Sequence, residues 1–313
     1  MILLIILIAC SACKKEEAMN VFSVDNLAGN LIITSVATDP STGPGIVSHF
    51  GSDGSFKGVL NDGYGSGTNF GTGSVFIPPS SVAVAIEGID SFEVIDLLTY
   101  VARTITHTGL SSAPLRQMTR DQTDGALLIV EANPAQIEKF DSGYQRIGNP
   151  FIPATTGSCA LATPYGITFV PSTRHIAVVS SAASGRLSVY DKDGNCITHY
   201  TGAPFSSGTP TGIAYHAPSD KFIVTRAGDH SIWAVDTDGT GGTQIYLNAS
   251  IINTPRAVTT DDDGYIYVSS IGTDTVEKLY WSGSGSASRA LSGPLIGPSI
   301  YSQNVSSIVV VPE

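Results

Sequence analysis

Short runs of alternating apolar and polar residues fill most of the chain, and most of them end at Gly, Pro, Asp or Asn. One unit recurs as PYGITFVPSTRHIAVVSS from Pro164, PTGIAYHAPSDKFIVTRA from Pro210 and PRAVTTDDDGYIYVSSI from Pro255. Each copy has a small residue, alternating large apolar residues, a polar turn and a second apolar run. Alternation with a period of two is typical of β-strands and not of helices. The chain is therefore predicted to be all-β.

The unit returns about every 45 residues, as the spacing of its small residues Gly166, Gly212, Ala257 and Ser307 indicates. A third strand, such as RLSVYD or SIWAVD, and a fourth, such as CITHYT or TQIYL, follow the second. Four antiparallel strands in 40 to 50 residues are typical of one blade of a β-propeller. A β-sandwich is the competing all-β layout, but it gives no reason for this period.

The repeats predict six blades. Innermost strands are expected near residues 81, 117, 166, 212, 257 and 307. The segments NLIITSV, GIVSHFGSDG and FKGVLNDG supply three strands with no inner strand before them, so the C-terminal NVSSIVVVPE is predicted to complete the first blade. Seven blades are the alternative, which needs a further start within residues 55–80. We interpret that Gly-rich stretch as a long connection.

The copy PTGIAYHAPSDKFIVTRAGDHSIWAVDTDG at residues 210–239 resembles the blades of bacterial YVTN/NHL-type propellers. Those blades read roughly Pro-x-Gly-Ile-Ala, a hairpin, an apolar strand and then Ile-x-Val-x-Asp. The resemblance covers most of residues 25–313 and implies an architecture without a particular activity. The Asn that is frequent after the second strand of the family is replaced here by Ser181, Arg226 and Ser270.

The N-terminal run MILLIILIA has nine residues, whereas a membrane-spanning helix needs about 20. Its length suits the apolar part of a signal peptide. Leu7 to Cys10 resemble a bacterial lipobox, which implies a signal peptide at 1–9, lipid attachment at Cys10, a tether at 10–24 and the propeller domain at 25–313. The basic residues expected at the start are missing, so an ordinary secretory signal is the alternative, and Cys13 is a weaker lipidation site. Ser11 resembles an outer-membrane sorting signal, which implies an outer-membrane lipoprotein of the bacterial cell envelope that faces the periplasm or the cell surface.

Charge and cysteine usage narrow the function classes. The chain has 16 Lys and Arg against 27 Asp and Glu, a net charge of −11. Nucleic acid is excluded as a partner because its binding depends on basic side chains that neutralise phosphates. Cys159 and Cys196 are either a disulfide, as an oxidising envelope permits, or two buried thiols. Their predicted positions near opposite ends of one repeat favour the thiols.

Polar residues are predicted to gather at one mouth of the ring, where second strands turn into third strands and first strands begin. Rigid scaffolds collect binding residues on such loops. The sharpest group is RAGDH at residues 226–230, which could hold an anionic ligand or orient a general base; the alternative is a solvated polar loop. The candidate binding residues are Arg116, Glu131, Tyr165, Arg226, Asp229, His230, Arg256 and Asp274, with Glu87, Asp90, Asn133 and Thr211 beside them.

The predicted function is a membrane-tethered propeller that binds a small ligand or an envelope protein, with no cofactor. The alternative is a metal-dependent lactonase or lyase with a divalent cation in the channel, held by residues such as Glu131, Asp229 or Asp274. Virginiamycin-lyase-like propellers use a His with a metal, and His230 is the candidate here. The Asp-Gly pairs in DKDGN, DTDGT, DDDG and SDG are interpreted as hairpin turns and not as calcium loops.

Overall fold

A computed structural model describes residues 27–35, 45–61, 70–88, 91–107, 110, 114–181, 185–299 and 303–312. The predicted signal peptide, Cys10, the predicted tether and Asp90 lie outside the described residues. Within those ranges, no helix is both long enough and apolar enough to span a bilayer.

The fold consists of β-strands and, within the described residues, one 3-10 turn at Ala217–Ser219. The strands are β1 (Leu31–Ser35), β2 (Ile46–Phe50), β3 (Phe56–Asn61), β4 (Phe70–Ile77), β5 (Ser81–Glu87), β6 (Ser91–Asp96), β7 (Ala102–Thr106), β8 (Leu115–Arg120), β9 (Leu127–Ala132), β10 (Ala135–Phe140), β11 (Arg146–Ile152), β12 (Thr155–Thr156), β13 (Cys159–Ala160), β14 (Pro164–Val170), β15 (His175–Ser180), β16 (Arg186–Tyr190), β17 (Cys196–Tyr200), β18 (Pro210–His216), β19 (Lys221–Arg226), β20 (Ser231–Asp236), β21 (Gly242–Leu247), β22 (Pro255–Thr260), β23 (Tyr265–Ser270), β24 (Thr275–Tyr280), β25 (Ser288–Arg289) and β26 (Val305–Val310).

Six four-stranded antiparallel sheets form the blades of a β-propeller, as predicted. Blade 1 is β26-β1-β2-β3, blade 2 is β4 to β7, blade 3 is β8 to β11, blade 4 is β14 to β17, blade 5 is β18 to β21 and blade 6 is β22 to β25. The inner strands contact one another in the cyclic order β26, β4, β8, β14, β18, β22 and back to β26. The blades therefore surround one central channel.

The predicted closure by the C-terminal strand is confirmed. β26 pairs antiparallel with β1, with Leu31 opposite Val310 and Ser35 opposite Val305. The end of the chain thus supplies the inner strand of the blade whose other three strands come from its beginning.

The hydrophobic core is divided into six clusters, one between each pair of neighbouring blades. Second strands are buried on both faces, so successive residues serve different clusters. Val82 and Val84 of β5 pack towards blade 1, whereas Ala83 and Ala85 pack towards blade 3. Because every cluster needs two blades, a single repeat could not bury its own apolar surface.

Glycines stand on the inner strands where there is no space for a side chain. A Cβ on Gly73 would lie 2.2 Å from the Arg116 carbonyl oxygen, and one on Gly212 would lie 2.4 Å from that of Arg256. Real side chains do not approach backbone so closely, so the small residues allow neighbouring inner strands to meet at the axis.

One predicted strand start was wrong. Residues 81–87 form the second strand of blade 2, and its inner strand is the Gly-rich segment Phe70–Ile77 that we interpreted as part of a connection. Gly73 occupies the place that Gly166 and Gly212 occupy in later blades, where crowding at the axis favours glycine over a β-branched residue. The blade count stays at six because this strand belongs to a blade already counted.

The preference for free thiols was also wrong, because Cys159 and Cys196 form a disulfide with a Cα–Cα distance of 5.5 Å. The segment after β11 makes a small ribbon, β12 and β13, that carries Cys159 back to the outer strand β17. A map of blade strands alone does not contain this ribbon. The Asp-Gly pairs do form turns, as Gly194, Gly239 and Gly264 with φ of 84°, 83° and 88° indicate.

Candidate functional site

The channel has two ends, which differ in chemistry. We call the ring of residues near the starts of the inner strands the N-rim; it comprises Thr72, Arg116, Tyr165, Thr211, Arg256 and Ser306. The opposite end, where the inner strands finish, contains a cavity that we call the C-pocket.

Three predicted residues from three blades meet at the N-rim. The Arg116 guanidinium carbon lies 5.2 Å from the centre of the Tyr165 ring, and that of Arg256 lies 5.4 Å from the same centre. These residues stand on blades 3, 4 and 6, so the Arg256 side chain reaches past blade 5 to the ring. Cations near the face of an aromatic ring are attracted by its quadrupole, and this attraction holds both guanidinium groups beside the channel.

The two arginines differ in their other partners. Arg116 donates to Glu87 over 3.1 Å, and both side chains are about one-fifth exposed. Arg256 has no carboxylate partner among the described residues, and the Nε atoms of both arginines are buried without an acceptor there. Thr211 and Ser306 instead join inner strands, since their hydroxyls donate to the carbonyls of Pro255 and Gly71 over 2.9 Å.

The RAGDH group is held within the protein. Arg226, which is only 5% exposed, pairs with Asp229 over 2.7 Å and packs its guanidinium 5.2 Å from the Trp233 ring centre. His230 accepts at Nδ1 from the Thr254 backbone N–H over 2.9 Å. Arg226 ends β19, so it belongs to a strand and not to a loop. These contacts fix the turn and join blade 5 to the start of blade 6.

Glu131 and Asp274 also have partners inside the fold. Glu131 is fully buried in β9 and accepts from the side-chain amide of Gln136, which bonds Glu138 as well. Burial raises the pKa of Glu138, although its bond to Arg146 opposes the rise. Asp274 accepts from the Asn304 backbone N–H over 3.1 Å, close to the start of β26.

The predicted site residues are therefore brought together only in part. Arg116, Tyr165 and Arg256 form one cluster, with Glu87 attached to it. Glu131, Arg226, Asp229, His230 and Asp274 make the separate contacts just described. In the part of the chain that the structure describes, no group of three or more His, Cys, Asp or Glu side chains could hold a metal ion.

The C-pocket was not predicted from the sequence. Its volume is about 580 Å³, within the range of roughly 300 to 1,000 Å³ of small-molecule sites. The innermost wall comes from the middle of the inner strands, and the outer wall comes from their ends and the following turns. Lining residues that bear on its chemistry are Ser74, Phe76, Gln117, Arg120, Ile167, Phe169, Ile213, Tyr215, Val258, Asp261, Tyr265, Tyr267, Lys278, Ser307 and Ile308.

Two charged side chains in the outer wall of the C-pocket, those of Asp261 and Lys278, are engaged by tyrosines. The Tyr267 hydroxyl donates to Asp261 over 2.9 Å, and burial together with this carboxylate raises the pKa of Tyr267. The Lys278 ammonium lies 4.0 Å from the Tyr265 ring centre and 5.1 Å from that of Tyr267.

No protein-family description matches the chain, and neither does any curated protein sequence. Solved structures do match. A chain of a nidogen/laminin complex has a TM-score of 0.70 at 14% identity, over 90% of this chain and 98% of that one. Virginiamycin B lyase from Staphylococcus aureus has a TM-score of 0.55 at 15% identity, over 71% of this chain and 70% of that one, and a streptogramin B lyase reaches 0.56 at 14%, over 84% and 74%. At these identities the likeness establishes the fold alone: this chain shares the β-propeller architecture of a laminin-complex module and of two lyases.

Proposed function

We propose that this protein is a YVTN/NHL-type propeller lipoprotein of the bacterial cell envelope, anchored through Cys10, that binds a small anionic ligand at the N-rim. The lipobox-like residues 7–10 support the anchor, and Ser11 supports an outer-membrane address. The Cys159–Cys196 disulfide supports an oxidising compartment, because such bonds are rare in the cytosol. Both features agree with residues 1–9 as a signal peptide and 10–24 as a tether.

One observation supports the ligand class: two guanidinium groups lie against one tyrosine ring at the mouth of the channel. Among the described residues, Glu87 supplies the one carboxylate that pairs with them, so this part of the cluster keeps an excess positive charge. A guanidinium can donate two parallel hydrogen bonds to a carboxylate or phosphate. Because the ring already orients the Arg256 side chain, little additional side-chain entropy is lost when an anion binds.

The proposal is tested by thermal unfolding of the full chain in sodium succinate, in sodium phosphate and in sodium chloride of equal ionic strength. An anion with a millimolar Kd, present at ten times its Kd, raises Tm by about 2 °C. Arg256→Gln abolishes the rise, whereas Arg103→Gln, which removes the same charge from an exposed position on β7, retains it. Equal shifts in wild type and Arg256→Gln would contradict anion binding at the N-rim.

The predicted envelope-protein partner and the metal-dependent lactonase or lyase remain alternatives. The same assay separates the enzyme alternative from our proposal, because a bound metal stabilises the folded chain by mass action. A rise in Tm with Ca²⁺, Mg²⁺ or Mn²⁺ that Asp229→Asn or Asp274→Asn removes would favour the enzyme.

A further inference from the structure

The C-pocket lies at the end of the channel opposite to the N-rim and is a separate place for a ligand. Its lining follows the chain from Ile308 in β26 to Pro312 just beyond that strand, a distance of about 13 Å at the usual rise per residue of a strand. Lining residues come from the inner strands of all six blades. A molecule in this space would touch the whole ring.

The inner half of the C-pocket is apolar on one side. Ile167, Ile213, Val258 and Ile308 stand on blades 4, 5, 6 and 1, and each is buried. Burying apolar ligand surface against such a wall gains about 25 cal/mol per Å². A charged group placed there would lose its hydration without gaining an ion partner, because the described residues of this inner half are uncharged.

The other side of the inner half carries a buried amide to which no described residue is hydrogen-bonded. Gln117 is 93% buried, since its exposure is 7%, and it lines the pocket. No described residue bonds its side-chain amide, whereas Ser74 and Ser307 beside it bond each other over 2.8 Å. The amide stands next to Gly166, where an added Cβ would lie 3.0 Å from Gln117 Oε1. Buried polar groups normally have a hydrogen-bond partner, so this amide is suited to bond a ligand.

The place of Gln117 in its blade makes it an exception. The corresponding residues of the other inner strands are Gly73, Gly166, Gly212, Ala257 and Ser307, all of them small. These five blades therefore leave the channel axis open, and blade 3 projects the Gln117 amide into the space that they leave.

We infer that the C-pocket binds an elongated, mainly apolar and uncharged molecule whose single polar group exchanges a hydrogen bond with the Gln117 amide. An amide, ketone, ester or alcohol provides that group. At the outer wall, Asp261 and Lys278 already contact tyrosine side chains, so the uncharged inner half of the pocket decides which ligand is bound.

The test uses N-phenyl-1-naphthylamine, an uncharged aromatic amine whose fluorescence rises in apolar surroundings and whose N–H can donate to Gln117 Oε1. Titration into the full chain is expected to show saturable binding with one site. Thr119→Trp and Thr259→Trp each add bulk from a half-buried position in the lining, on blades 3 and 6, and each weakens binding at least tenfold. Gln117→Met keeps the side-chain length but removes the amide, and it weakens binding about fivefold.

Two control variants isolate the pocket. Thr243→Trp places the same ring on the exposed outer strand β21 and leaves binding within twofold of wild type. Arg256→Gln also leaves binding of the dye within twofold of wild type. A failure of anion binding at the N-rim is therefore distinguishable from a failure of dye binding in the C-pocket. Binding that does not saturate, binding retained in both Thr→Trp variants that keep the wild-type Tm, or an equal loss in Thr243→Trp overturns the inference. Either Thr→Trp variant suffices if the other does not fold.

Discussion

The disulfide offers the most direct test of how the chain is held together. Cys159 and Cys196 are 37 residues apart, so the bond closes a loop of that length in the unfolded chain. Loop closure of this size removes about 13 cal/mol/K of unfolded-state entropy, which corresponds to about 4 kcal/mol at 25 °C. The loop contains the first three strands of blade 4, so its opening would loosen a whole blade and its two neighbouring core clusters.

The assay is thermal and urea unfolding of a chain in which Cys10 and Cys13 are replaced by Ser, with and without a phosphine reductant. Reduction is expected to lower Tm by roughly 7 °C for a domain of this size. Cys159→Ala/Cys196→Ala is expected to unfold near the temperature of the reduced protein and to ignore the reductant, which makes it the matched control. Coincident unfolding of the oxidised and reduced chains, within 1 °C, would refute this reasoning and indicate that the disulfide does not stabilise the fold by constraining the unfolded chain.

Two further predictions concern a buried histidine and the core cluster between blades 6 and 1, where the ring closes. His49 is fully buried, bonds Asn30 Nδ2 through Nε2 over 2.9 Å, and has its pKa lowered to about 4, first by burial and then by the charge of Lys57. Because the unfolded chain then binds more protons than the folded chain below pH 6.5, the free energy of unfolding should fall by up to roughly 3 kcal/mol between pH 6.5 and pH 4. The urea midpoint of His49→Gln should depend less on pH across this range than that of wild type. Equal pH dependence in the two proteins would contradict the lowered pKa of His49. Ile308→Ala, in the core cluster between blades 6 and 1, should lower the free energy of unfolding by about 3 kcal/mol in the same urea assay. Val101→Ala, at a position 64% exposed, should lower it by under about 0.5 kcal/mol. Similar losses in the two variants would contradict a stabilising role of the cluster between blades 6 and 1.

Most of the architecture could be predicted because each blade repeats the same physical requirements. Gly166 and Gly212 mark inner strands, since only small residues let these strands approach at the axis. The same requirement for small residues is the reason why β4 was not predicted as a strand. With Gly71 and Gly73 in place of side chains, this strand shows little apolar alternation and reads like a linker.

One of the two candidate sites was predicted from the sequence and the other was not. Position within the repeat was enough to predict that Arg116, Tyr165 and Arg256 stand at one end of the channel, although their binding role stays a prediction. The C-pocket was missed because its isoleucines look like any inward-facing strand residues. Gln117 was the available signal, since it stands where the other copies have Gly, Ala or Ser. The disulfide escaped prediction because the ribbon that carries Cys159 lies outside the repeat.

The joining of β26 to β1 sets the order in which this protein can become native. A ribosome releases β1 first and β26 after all the other strands, so blade 1 lacks one strand until nearly the whole polypeptide has emerged. Until then the β1 backbone groups that will pair with β26 remain open, as do the apolar surfaces on either side of that blade. Formation of the last sheet is thus a late, long-range event. We expect a factor that shields exposed strand edges during synthesis to have its greatest effect on this segment.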